Sequence, residues 1–170
     1  MTDDAAIRFE PLHEGVAPPS RSTTGSAGYD LRCFLVARTV RVALDGVVSE
    51  RPTESTEEGW VLRLAPREKA LVPLGFRAQL PIGVEAQVRP RSGLAFRTGL
   101  VIANSPGTID ADFPEEWCVP VANWGVEPLV VTHGERIAQM VLARFEVLPF
   151  VQEAVQPTTD RMGGFGSTGV

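Results

Sequence analysis

Glycine and proline interrupt this chain so regularly, 16 and 14 times in 170 residues, that no apolar stretch runs long. Glycine weakens a helix interior and proline breaks it, so sustained helices are excluded over most of the length. What remains is a series of short apolar runs: Ile7 to Phe9, Leu31 to Val42, Trp60 to Leu64, Lys69 to Phe76, Val84 to Val88, Leu100 to Ala103, Trp117 to Val121, Leu129 to Val131 and Met140 to Phe145. That rhythm predicts an all-β sandwich or barrel. The one helical exception is Leu94 to Thr98, a short segment after Ser92-Gly93. No internal repeat is present, which argues against a propeller or solenoid.

A chain of this length that is 44% hydrophobic can bury a core, and its size suits one domain. Its net charge of -5 argues against non-specific binding to nucleic acid or a membrane surface, which needs a basic field. An anionic ligand must therefore find locally clustered arginines. No apolar run approaches the roughly 20 residues that span a bilayer, and Met1 to Glu14 lacks a basic start followed by an apolar stretch. A cytoplasmic protein with no membrane partner and no direct nucleic-acid partner is expected. Cys33 and Cys118 stand far apart without a CxxC partner, so they suggest neither a disulfide framework nor a zinc site. His13 and His133 are too few for a metal cage or a serine triad, and both are expected to be solvent-facing or structural. Chemistry here must run on carboxylates, arginines and hydroxyls, with or without an oxygen-bound metal.

Three segments break the strand rhythm. Between Val47 and Gly59, the stretch SERPTESTEEG reads as a mobile surface excursion. Val16 to Ser26 reads as an extended connector. From Gln156 to Val170 apolar side chains are few and glycines numerous, so this stretch orders only against a partner surface or a ligand. The expected organisation is one β domain over 1–155 and a flexible Gly-rich arm over 156–170.

Several clusters carry possible chemistry. In GGFGSTG, Gly163 to Gly169, glycines let backbone amides approach a phosphate while Ser167 and Thr168 add hydroxyl donors. No Lys follows and no strand-to-helix context exists, so this is not the nucleotide P-loop. Phe165 is free to stack on a flat base. In RPRSGLA, Arg89 to Ala95, a strand ends in a Gly turn where Arg91 and Ser92 can meet one phosphate group. NSPGTIDADF, Asn104 to Phe113, is a turn cluster between apolar strands whose backbone can pair with a pyrimidine edge, and Asp110 can take a proton from a held water. AGYDL, Ala27 to Leu31, and RIAQM, Arg136 to Met140, read singly as core edge.

Taken in order, AGYDL, RPRSGLA, NSPGTIDADF, RIAQM and GGFGSTG resemble the five successive motifs of the trimeric dUTPase family, over nearly the whole chain from Ile7 to Val170. The resemblance implies a jelly-roll-like β subunit, a homotrimer with shared active sites, and hydrolysis of dUTP to dUMP and pyrophosphate, which limits uracil in DNA and supplies dUMP for dTMP synthesis. By the same resemblance Asp110 activates the attacking water. Backbone groups of Asn104, Gly107, Thr108 and Ile109 read uracil, and Phe113 packs on the deoxyribose. Arg91, Ser92, Gly93 and Gln139 hold phosphate. Arg161, Ser167 and Thr168 bind the terminal phosphate, with Gly166 beside them, and Phe165 caps the base. Mg2+ rides on the phosphates, and Asp30 reaches it through water.

The chain departs from that pattern in four places. Phe113 lacks the hydroxyl of the commoner Tyr, and Pro114-Glu115-Glu116 replaces a basic residue and Gly. Arg161 stands one residue nearer the glycine pair than usual. An insertion of roughly twenty residues, about 38–65, is expected to be a surface loop. Two other readings remain open: a dUTP-responsive regulatory protein that uses the insertion, and a dCTP deaminase, which would need a Glu where Pro120 stands.

Overall fold

The computed structural model describes residues 6–156. Among them the elements in chain order are β1 (Arg8–Pro11), β2 (Tyr29–Arg32), β3 (Thr39–Leu44), β4 (Val47–Pro52), β5 (Glu54–Thr56), β6 (Gly59–Leu64), β7 (Lys69–Pro73), β8 (Phe76–Gln79), β9 (Val84–Arg89), α1 (Ser92–Thr98), β10 (Leu100–Ile102), β11 (Gly107–Ile109), β12 (Cys118–Asn123), β13 (Leu129–Thr132) and β14 (Arg136–Arg144). Two larger antiparallel sheets, β10-β12-β7-β3-β4 and β11-β9-β14-β2, are flanked by a β13-β6-β5 sheet and a β1-β8 ribbon. The sheets stay open, so the architecture is a jelly-roll-like sandwich and not a closed barrel.

One core joins them. Val40, Val42, Val72, Val119 and Val121 of the first sheet meet Leu31, Ala86, Val88, Ile137 and Met140 of the second. In β3 the buried valines alternate with exposed Thr39 and Arg41, the period-two pattern of a strand with one face inward. Fully buried Trp117 tilts against Phe76 at 5.4 Å, and Phe76 against Phe9 at 5.2 Å, which seats the β1-β8 ribbon on the core. Burying each such ring stabilises the fold by roughly 1.5–3 kcal/mol. Among the described residues no helix is long and apolar enough to cross a membrane.

Two expectations need correction. The run Leu31 to Val42 is two strands, β2 and β3, parted by a turn in which Ala37 takes a positive φ of 49°. The stretch about 38–65 is not a loop: β3 pairs with β4 residue for residue from Thr39↔Pro52 to Leu44↔Val47, and β5 pairs with β6. Asp45 and Gly46, at φ 48° and 83°, form the two-residue turn that right-twisted hairpins favour. Buried Thr53 pins the junction between β4 and β5, its hydroxyl donating to the Leu35 carbonyl at 2.8 Å and accepting the Arg38 N–H at 3.1 Å. Arg51 on β4 grips buried Glu68 through two hydrogen bonds of 2.7 and 2.9 Å. This guanidinium holds the Glu68 carboxyl below its ordinary value. Polar composition here reflects an exposed edge strand, not a lack of structure.

Candidate active site

The register of the second sheet sets Asp30 of β2 opposite Gln139 of β14, and Gln139 opposite Arg89 of β9. Directly opposed residues share a face, so these side chains stand in one row. Beyond Arg89 the chain turns through Pro90 into α1. Arg91 reaches back there, its Nε donating to Asp30 Oδ1 at 2.9 Å, while Arg136 Nη1 donates to Oδ2 at 3.0 Å. Gln139 Nε2 donates to the Pro90 carbonyl at 2.9 Å, fixing the turn to the sheet. On the facing side Arg21 organises the Ser22 to Ser26 loop by donating to the carbonyls of Thr24 and Ser26, and it lies over the Tyr29 ring. Between this loop and α1 opens a cleft of about 560 Å³, lined among the described residues by Arg89, Arg91, Arg97 and Arg136 against the single carboxylate Asp30. In a chain of net charge -5 this is a locally cationic surface suited to a polyanion.

The NSPGTIDADF segment lies elsewhere on the same sheet. It contains β11, which pairs with β9 from Gly107↔Val88 to Ile109↔Ala86 and whose other edge pairs with no strand among the described residues. Gly107 is buried beneath the Asn104 side chain, and a Cβ there would meet Nδ2 at 3.1 Å. Asp110 is exposed, its carbonyl accepting the Phe113 N–H at 3.2 Å. Phe113 stands over a separate hollow of about 380 Å³ beside Phe9, Arg77 and Pro114. The acidic turn after it is anchored to the body, because Glu116 accepts hydrogen bonds from Arg38 at 2.5 Å and from the Gly75 N–H at 2.9 Å. One residue past Ile109, Asp110 falls level with Glu85. It is therefore roughly 13 Å along the strands from Arg89 and about 10 Å across from Gln139.

Of the residues expected from sequence, Asp30, Arg91, Ser92, Gly93 and Gln139 gather in the cleft. Asn104, Gly107, Thr108, Ile109, Asp110 and Phe113 lie on the segment around β11, which starts beside Val88, next to Arg89, and runs away from the cleft toward Asp110. Arg161, Phe165, Gly166, Ser167 and Thr168 lie outside the described residues. Sequence reading missed Gly28, Arg97 and Arg136 as cleft residues. Arg97 follows Gly93 by four positions, a helical neighbour once α1 is recognised. His133 packs edge-on against Phe34, accepts the Leu35 N–H at 3.1 Å and is held below its usual range by burial; His13 stacks on Phe34 at 4.2 Å. Burial pushes the Cys33 thiol up to about 12 and that of Cys118 to about 11, so both stay protonated and unreactive at neutral pH. Among the described residues no three His, Cys, Asp or Glu side chains group as a metal cage.

A family model described as dUTPase matches residues 61–169. The deoxyuridine 5'-triphosphate nucleotidohydrolase of Rhizobium rhizogenes is 42% identical over 157 residues, covering 92% of this chain and 87% of the relative. That of Treponema pallidum is 39% identical over 160 residues, covering 94% of each. Among solved structures, a mutant dUTPase of Staphylococcus bacteriophage 80alpha bound to dUpNHpp superposes with a TM-score of 0.75 at 21% identity, covering 97% of this chain and 99% of that one.

Proposed function

The chain belongs to the dUTPase family, and from that premise we propose how its residues divide the hydrolysis of dUTP to dUMP and pyrophosphate among themselves. Water attacks the α-phosphorus while Asp110 takes its proton. A new P–O bond forms, the bond to the bridging oxygen breaks, and pyrophosphate leaves with the electron pair. Arg91, Ser92, Gly93 and Gln139 hold the phosphate chain. The backbone from Asn104 through Gly107, Thr108 and Ile109 reads the uracil edge, and Phe113 packs on the deoxyribose. Arg161, Ser167 and Thr168 bind the terminal phosphate, with Gly166 beside them, and Phe165 stacks on the base. The observation that carries this reading is the gathering of AGYDL, RPRSGLA and RIAQM around one arginine-rich cleft. The outer edge of β11, unpaired among the described residues, supports base reading by main-chain groups.

The distance from Asp110 to the cleft supports a site built between copies, in which the Asp110 segment of one subunit completes the cleft of the next, as in a homotrimer. The exposed apolar side chains Val147, Leu148, Phe150, Val151 and Val155 favour the same assembly, since such a stretch is stable when another chain covers it. The 156–170 arm closes over bound nucleotide in this scheme.

Magnesium fits as a cation carried in on the triphosphate and not as a caged ion. Among the described residues Asp30 is the only carboxylate lining the cleft, and both its oxygens are already paired, so it can meet such an ion only through water. Bound there, Mg2+ would neutralise phosphate charge. A cytoplasmic location suits the substrate. The deaminase reading fails on Pro120, which sits in the β12 ladder opposite Leu71 and carries no acid. Pyrophosphate release measured with Mg2+ across dUTP, UTP, dTTP and dCTP tests the whole reading: turnover confined to dUTP is expected, and binding of dUTP without turnover would overturn it in favour of a regulatory protein.

A further inference from the structure

The cleft arginines differ in what already occupies them. Arg91 and Arg136 share Asp30, and Arg89 Nη2 donates to the Gln87 carboxamide at 2.6 Å. Arg97 forms no ion pair among the described residues. It occupies the last turn of α1, where a cation ordinarily complements the helix C-terminus. Its side chain instead runs back toward the first turn, and Nη1 lies 3.1 Å from where a Cβ on Gly93 would stand. The absence of a side chain at position 93 thus leaves room for a guanidinium over Gly93, next to Ser92, at the wall of the cleft. Helical spacing explains the approach, since residues four apart stack on one face. A planar, weakly hydrated cation without a carboxylate partner is matched to a phosphate.

We propose that Arg97 is a further substrate-binding residue, holding the phosphate chain of dUTP beside Ser92 and Gly93. This rests on the reading that the phosphate chain lies in this cleft. The test uses the full-length protein and three variants: Arg97→Met, Arg97→Lys and, as a control on the cleft itself, Ser92→Glu. Arg97→Met is expected to raise KM for dUTP about tenfold and weaken a non-hydrolysable imido analogue to the same degree, with kcat within about threefold of the parent. Arg97→Lys is expected to recover most of the loss, and inhibition by pyrophosphate is expected to weaken in parallel with KM. KM and analogue affinity unchanged within about twofold in Arg97→Met, while Ser92→Glu abolishes binding, would overturn the role of Arg97 and leave the cleft reading standing. Unchanged affinity in Ser92→Glu as well would remove the phosphate chain from the cleft and the inference with it.

Discussion

The carboxamide of Gln139 occupies the place where a side chain on residue 28 would begin: a Cβ on Gly28 would overlap its Oε1. Its Nε2 meanwhile donates to the Pro90 carbonyl, so main chain from two separate segments locates both ends of one amide. The glycine of AGYDL is therefore explained by packing against RIAQM.

Gly28→Ala is expected to turn Gln139 aside and lower kcat/KM by about tenfold or more, since a displacement near 1 Å can cost about 100-fold. In a Gln139→Ala background the same change is expected to add less than about twofold. Steady-state kinetics on the four proteins of this cycle measure the coupling, and independent losses would show that Gly28 acts elsewhere.

Asp110→Asn keeps the size of the side chain and removes the proposed base. Turnover is expected to fall by about 10²–10⁴, the usual worth of a general base, while calorimetry with the imido analogue finds binding retained. Substantial activity in this variant would take Asp110 out of that role.

The proposed shared site makes a stronger demand. Asp110→Asn and Ser92→Glu are each expected to be inactive, yet subunits mixed at random in equal amounts should recover about a quarter of the parental activity, because one site in four would draw an intact Asp110 segment and an intact cleft from different copies. No recovery after verified mixing would place the whole site within one chain.

The Arg51–Glu68 pair ties the β3–β4 hairpin to the turn before β7, and Arg51 lowers the Glu68 pKa. A depressed carboxylate contributes stability above its unfolded pKa and loses it as pH falls through the folded one. Glu68→Gln is expected to cost about 1–3 kcal/mol near pH 7, less than a fully enclosed pair because Arg51 is 37% exposed. Urea unfolding of both proteins should show the gap closing below about pH 4. A gap that is constant with pH would mean that the ion pair contributes nothing.

Much of this fold is legible in the runs of apolar residues, because β6, β9, β10, β12 and β13 each bury alternate or successive side chains that the sequence spells as Val, Leu, Ile or Ala. β4 is not, since Ser49, Glu50 and Arg51 belong to an edge strand; its turn signal, Asp45-Gly46, was present but overshadowed by polarity. The motifs identify the cleft, yet their order along the chain is silent on distance. Only the strand register reveals that Asp30, Gln139 and Arg89 are neighbours while Asp110 is not. Arg97 escaped notice because a lone surface arginine carries no pattern until the helix around it is drawn.

The separation of Asp110 from the arginine cleft bears on when the proposed chemistry could begin. On the proposed shared site, a single folded copy would hold the water-activating acid and the polyanion grip as unmatched halves, and catalysis would await an encounter with other copies. Output should then rise more steeply than protein concentration at low dose, and dilution should silence the protein well before it unfolds.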